Sequence, residues 1–436
     1  MHHETSRLLL YGDLGEDSIL RQLADVFARW EQGGQPKEKL TRSIYDQVKR
    51  LLDLATEYCF DGNLWQDYLA YVIIYNENSF SLTCEQQGAG EGSVNALALA
   101  DLEIFLRLFS YDFSAIEADL GIDCFSRLSD YKALPKQGPR YNKQAGEKIH
   151  ELSRELAACG DARQAFRLVT DFYRRWGVGD LGLNRAFRLA PEGGGVRLLP
   201  IRNVERITLD DLVGYESQKQ QLRDNTEAFL QGRAANNVLL YGDSGTGKST
   251  SVKALLNEYY DQGLRMIQID KYQFRLLSQL ISAVKDRGYR FIIVIDDLSF
   301  EENEVEYKYL KSVIEGGLER KPANILIYAT SNRRHLIRET WNDRSDMQHD
   351  GDLHRSDTME EKLSLAGRFG VQINFSQPDR AHYHAIVEAL ARRQGVTVDK
   401  DRLLYLADRW ELRHGGVSGR TAQQFVNYME GRGEER

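Results

Sequence analysis

Residues 238–250 read Val238-Leu239-Leu240-Tyr241-Gly242-Asp243-Ser244-Gly245-Thr246-Gly247-Lys248-Ser249-Thr250. An apolar run opens the stretch, three glycines punctuate it, and a good helix-forming segment, Ser249–Tyr260, leaves it. From Gly242 to Ser249 the spacing fits GxxxxGK[ST] at every fixed position. Glycine lets the backbone curl, so consecutive N–H groups point inward at phosphate oxygens. The outgoing helix turns its positive dipole end toward the same anion. Lys248 supplies a point charge for the β- and γ-phosphates, and the Ser249 hydroxyl suits Mg2+. Gly242, Asp243, Ser244, Gly245, Thr246, Gly247, Lys248, Ser249 and Thr250 are therefore the expected loop for ATP.

Outward from this loop, short apolar runs alternate with helical segments: Leu264–Ile269, Phe274–Lys285, Phe291–Ile295, Val305–Leu318 and Ile325–Ala329. Such alternation predicts βαβ units around a parallel sheet with helices on both faces. The run Phe291–Ile295 ends in Asp296-Asp297, which places two carboxylates at the C-terminal edge of a central strand. Asp296 is expected to hold Mg2+, directly or through water, and Asp297 to orient the attacking water. A pair of acids capping the next helix is the plainer alternative. Another apolar run, Ile325–Ala329, ends in Thr330-Ser331-Asn332, where Asn332 could hydrogen-bond that water or the γ-phosphate.

This order of motifs, followed by a helical tail, resembles the AAA+ ATPase module. The stretches Asn237–Gly242, Asp296–Phe300, Tyr328–Leu336, Glu361–Leu365, Arg368-Phe369-Gly370 and Ser418-Gly419-Arg420 are similar to bacterial predicted AAA+ ATPases grouped as domain of unknown function 815. The similarity spans about residues 180–430 and is much weaker before them. It implies a P-loop αβα sandwich with a C-terminal helical lid, and ATP and Mg2+ as cofactors. It also implies an adenine pocket lined by Val213 and Gly214 within Thr208–Tyr215, an arginine finger at Arg368, and a nucleotide-sensing Arg420 in the lid. A permanently charged guanidinium suits either arginine role, and a surface salt bridge is the plain alternative for each. Arg333 and Arg334 also follow the sensor strand, so the finger has more than one candidate. A finger acting on a neighbour implies a homo-oligomer, often a hexameric ring in such families. One departure matters: most AAA+ modules carry Glu where this chain has Asp297, which implies slow hydrolysis.

The remaining sequence is of a different kind. Residues 15–190 read mostly as amphipathic helices, among them Ile19–Trp30, Leu40–Tyr58 and a hairpin of Gln144–Ala158 with Ala162–Trp176. The segment Ala190–Pro200 combines two prolines with three consecutive glycines and reads as a break. The expected organisation is a helical domain over 1–190, a linker over 191–205, a nucleotide core over 206–377 and a lid over 378–436. The 436 residues carry 65 acids against 57 Lys+Arg, a net charge of −8. Residues 1–200 hold 29 of those acids against 23 bases, and residues 51–100 hold seven acids with no Lys or Arg. The acidic balance argues against a nucleic-acid partner and marks the N-terminal domain as the place for a protein partner. Cys59, Cys84, Cys124 and Cys159 are widely spaced, which fits free thiols and a cytoplasmic protein. Neither a signal peptide nor a membrane-spanning run is visible.

Overall fold

A computed structural model describes residues 1–88, 90–134, 142–300, 304–315, 322–332, 336 and 365–431. Arg333, Arg334 and residues 361–364 lie outside this set. The chain divides into two compact units, one of residues 1–184 with 200–203 and one of residues 185–199 with 204–436.

The second unit is built on seven strands. They are β1 (Ala186–Glu192), β2 (Gly195–Pro200), β3 (Val238–Gly242), β4 (Leu264–Ile269), β5 (Arg290–Ile295), β6 (Ile325–Ser331) and β7 (Val371–Phe375). Their order across the sheet is β2-β1-β4-β5-β6-β3-β7, and every pair from β1 to β7 is parallel. The central parallel strands are covered on both faces, so their sequences are continuous apolar runs rather than alternations. β6 shows this directly, with all seven residues buried. From β3 the chain steps three places along the sheet to β4, then returns through β5 and β6. Right-handed crossovers therefore put the helix Lys248–Tyr259 on one face and the helices Leu277–Val284 and Glu306–Glu315 on the other. The result is the expected αβα sandwich. It brings the C-terminal ends of β3, β5 and β6 to one edge, where ligands bind in open α/β sheets.

The Pro- and Gly-rich stretch expected as a linker over 191–205 is instead largely a β-hairpin. Gly193 and Gly194 take φ of 53° and 89°, the left-handed pair that a two-residue turn between strands demands. Strands joined so tightly pair antiparallel. Pro191 is tolerated because β1 pairs with β4 only over Ala186–Arg188, and Pro200 because it ends the edge strand β2. The division between the units thus falls at Asn184/Arg185, just before β1 joins the sheet.

After β7 come three helices, Arg380–Arg393, Lys400–Glu411 and Gly419–Gly431. Tyr383, Val387, Ala407, Ala422, Phe425 and Val426 form a core of their own there, as the helical tail predicted. Among the described residues the regular elements of the N-terminal unit are all helices, apart from an isolated Gly62–Tyr131 bridge. Its hairpin turns where expected, with the Asp161 carboxylate capping the second helix through the Gln164 N–H at 2.9 Å. Buried Asp101 accepts the N–H groups of Leu9, Leu10 and Tyr11 at 2.8–3.1 Å and so ties down the first loop. All four cysteines are free, and burial pushes the Cys84 thiol up to about 11. No helix among the described residues is long and apolar enough to cross a membrane.

Candidate functional site

The loop after β3 has the conformation its glycines foretell. Gly242, Gly245 and Gly247 all take positive φ, of 130°, 76° and 93°. A Cβ on Gly242 would lie 2.2 Å from the Phe375 carbonyl oxygen on β7, and one on Gly247 would lie 2.8 Å from Leu212. Only glycine fits the first of these, because the obstacle is backbone. Thr246 closes the turn by donating to the Asp243 carbonyl at 2.8 Å, and the Asp243 carboxylate accepts the Gln377 N–H at 2.8 Å. Ser244 is exposed at the tip of the loop, and Thr250 is half-buried in the first turn of the following helix.

Lys248 is buried, 6% exposed, and its ammonium donates to the carbonyls of Gly242 at 2.9 Å and Asp243 at 2.6 Å. Burial pulls its pKa below the usual lysine value, and Arg420 pushes the same way against the attraction of Asp243, Asp297 and Asp296. A buried cation hydrogen-bonded to two neutral carbonyls, beside a curled loop and a helix N-terminus, is electrostatically prepared for an anion.

The register of the sheet assembles the acids. Ile295 stands opposite Ala329 and Leu240 opposite Thr330, so Asp296 emerges level with the end of β6 and close to the loop of β3. Asp296 Oδ1 accepts two hydroxyls at 2.5 Å, from Ser249 and from Thr330. Thr330 Oγ1 in turn accepts the Asp297 N–H at 3.0 Å, and Asn332 Nδ2 donates to Asp297 Oδ1 at 2.7 Å. Asp297 itself takes φ +54°, in the left-handed region that costs a non-glycine residue free energy. Ser249 and Asp296 present adjacent hard oxygens, the donor chemistry Mg2+ takes, so these residues fit that ion.

The lid reaches the loop through its last helix. The Arg420 N–H donates to the Gly245 carbonyl at 3.2 Å, and Ser418 and Arg420 crowd the space above Gly245. On the other side, His382 donates through Nε2 to the Val213 carbonyl at 2.8 Å. Its ring fills the place a Gly214 side chain would take, 2.0 Å from a built Cβ, and Gly214 has φ +75°. Arg393 binds the Asp211 carbonyl at 2.7 Å and its carboxylate at 3.2 Å. Val213 and Gly214 therefore sit where the lid meets the segment before the P-loop. Arg368 pairs with Glu315 of its own chain, at the end of the helix Glu306–Glu315. The structure thus brings together Lys248, Ser249, Asp296, Asp297, Asn332 and Arg420, and engages Arg368 in a salt bridge.

Two contributors escaped the sequence. Thr330 carried a visible signal, a hydroxyl at the end of an otherwise apolar strand. His382 carried none, since its contact joins residues 169 apart.

Residues 183–433 match the family described as Protein of unknown function (DUF815). Over 95 residues the chain is 30% identical to the Replication factor C large subunit of Methanococcus vannielii, covering 21% of this chain and 19% of that protein. It is 26% identical over 228 residues to Protein Ycf2 of Mesostigma viride, covering 47% and 25%. The chain thus spans about a fifth to a quarter of the length of these relatives. Among solved structures it is similar to the Thermotoga maritima RuvB Holliday junction branch migration motor, with TM-score 0.35, 16% identity, and 50% and 63% of the two chains covered. The FIGL-1 AAA domain in complex with ADP gives TM-score 0.36 and 18% identity over 52% and 73%. The family match runs from just before β1 to just past the last lid helix, more than half of the chain. The chain belongs to the family described as Protein of unknown function (DUF815).

Proposed function

We propose that the chain is a Mg2+-dependent ATPase that couples ATP hydrolysis to remodelling or regulation of a partner. The observation that carries this reading is the convergence of Ser249, Thr330 and Asn332 on the Asp296-Asp297 pair, beside the buried Lys248. In it the P-loop N–H groups and Lys248 hold the phosphates, Val213 and Gly214 border the adenine, and Ser249 with Asp296 would hold Mg2+. Mg2+, when bound, supplies neutralisation of charge on the phosphate oxygens. Asp297 orients the attacking water, and Asn332 fixes the carboxylate that does so. Backbone held at an unfavourable φ is a feature of functional positions, which supports this role for Asp297. Arg420 joins the lid to the phosphate loop through its N–H on the Gly245 carbonyl, which gives a change at the phosphates a route to the lid. Turnover that survives Lys248→Ala would remove the basis of the proposal.

A second reading is a nucleotide-dependent switch with negligible hydrolysis. Asp297 favours it, because the shorter carboxylate is already committed to Asn332 at 2.7 Å. Comparing turnover in the wild type and Asp297→Asn decides between them: equal rates mark a switch, a fall of at least tenfold an ATPase. In the ATPase reading Arg368 acts across a subunit boundary, with the Glu315 contact exchanged for a neighbour's nucleotide in a homo-oligomer. Mixing Lys248→Ala with Arg368→Ala chains tests that, since shared sites restore some activity. The acidic charge does not by itself exclude DNA as a partner, because the relatives matched over 95 residues are replication factor C subunits. DNA and protein partners therefore stand side by side, and salt-dependent DNA binding separates them.

A further inference from the structure

The N-terminal unit holds a cavity of about 590 Å³ that plays no part in the nucleotide site. Its size falls within the roughly 300–1,000 Å³ of ligand pockets. One wall is aromatic. Tyr68, Tyr71 and Tyr75, three and four residues apart on the helix Leu64–Tyr75, all line it. The rings of Tyr71 and Tyr75 lie 4.2 Å apart, and those of Tyr68 and Tyr71 are near-parallel at 6.5 Å.

The charged side chains of the lining are mostly acidic. Asp13, Asp53, Glu57 and Glu77 contribute carboxylates against a single cation, Arg50. Arg50 donates to the Asp17 carbonyl and the Gln47 side chain, and Glu57 pairs with Arg202. Among the described residues the Asp53 carboxylate and the Tyr71 hydroxyl have no hydrogen-bond or ion-pair partner. This is also the region, residues 51–100, with seven acids and no Lys or Arg.

Aromatic faces and an unpaired carboxylate attract the same kind of guest. The ring quadrupole favours a cation over its face, and the carboxylate adds Coulomb attraction. An anion would meet like charge, and a purely apolar guest would strip water from the carboxylates without compensation. We propose that this cavity binds an organic cation, an alkylammonium or guanidinium group on an apolar stem. A free amine and the basic side chain of a peptide share that chemistry.

Isothermal titration calorimetry of the full chain without nucleotide tests the assignment, with spermidine as one probe and a capped hexapeptide bearing two arginines as the other. At least one binds with a Kd at or below about 0.1 mM. Spermidine alone binding marks a free amine as the source, and the peptide alone marks a partner's side chain. Tyr71→Leu weakens binding about fivefold while Tyr71→Phe, which keeps the ring face, retains it. Exposed Asp53→Asn, where folding is not at stake, weakens it about threefold and reduces its dependence on salt. Lys248→Ala leaves binding unchanged, so this test fails or succeeds independently of the ATPase reading. Absence of binding by both probes, or equal binding by wild type, Tyr71→Leu and Asp53→Asn, overturns the proposal.

Discussion

Replacing Thr330 by Val tests how the acidic pair is held. The substitution nearly conserves shape, and Thr330 is 2% exposed, so it leaves almost no cavity. It removes two hydrogen bonds at once: the 2.5 Å donation to Asp296 and the 3.0 Å bond from the Asp297 N–H. The first is made to a charged group, but one with solvent access, and the second leaves a partly buried N–H unpaired. Together they are worth about 1–3 kcal/mol of stability, read as a drop in denaturation midpoint at constant m. The effect on turnover is larger than that loss alone, because both carboxylates lose their positional restraint. A displacement of about 1 Å at such a site costs on the order of 10²-fold in rate. Steady-state phosphate release therefore falls by roughly that factor in Thr330→Val, while nucleotide affinity changes little, since the P-loop is untouched. Thr330→Ser keeps the hydroxyl and stays within a few-fold of wild type. Wild-type turnover in Thr330→Val, or an equal fall in Thr330→Ser, would refute the positioning role.

Three further outcomes follow from the same geometry. Gly242→Ala sets a Cβ 2.2 Å from the backbone of Phe375 at φ 130°, so it abolishes ATP binding in a fluorescent-nucleotide titration and lowers thermal stability. Asp101→Leu strands the N–H groups of Leu9, Leu10 and Tyr11 and costs about 3 kcal/mol or more in chemical denaturation, with the rate of ATP turnover per folded molecule unaltered. Asp211 is held below the ordinary carboxylate pKa by the Thr208 N–H, with Arg393 adding to the effect. Its contribution is complete above the unfolded value, about 3.9, and is lost as pH falls through the lower folded one. Asp211→Asn therefore flattens the acid limb of the stability curve and leaves its slope at neutral pH unchanged.

Much of this architecture is legible in the chain because its signals are local. The strands β3 to β6 are largely buried on both faces, so Val238–Tyr241 or Ile325–Ala329 stand out as unbroken apolar runs. The phosphate loop announces itself by the local spacing of Gly242, Gly245, Gly247 and Lys248. The β1–β2 hairpin was hidden, because the prolines and glycines that mark a break also mark a tight turn at a sheet edge. Its partner β4 lies far downstream. Thr330 acquires its role only from the register that sets Ile295 beside Ala329. The Val213–His382 contact, between residues 169 apart, has no local trace, and neither has the Arg368–Glu315 pair. Asp161, by contrast, was readable as a helix cap because its acceptor serves a residue three positions on.

The central claim is that the loop around Lys248 binds ATP for hydrolysis. Steady-state phosphate release by the full chain with Mg2+ and ATP, wild type against Lys248→Ala, tests it most directly. Wild-type release that depends on Mg2+ and falls at least about 10²-fold in Lys248→Ala is the predicted result. Equal release by both proteins, or none by the wild type, would contradict it.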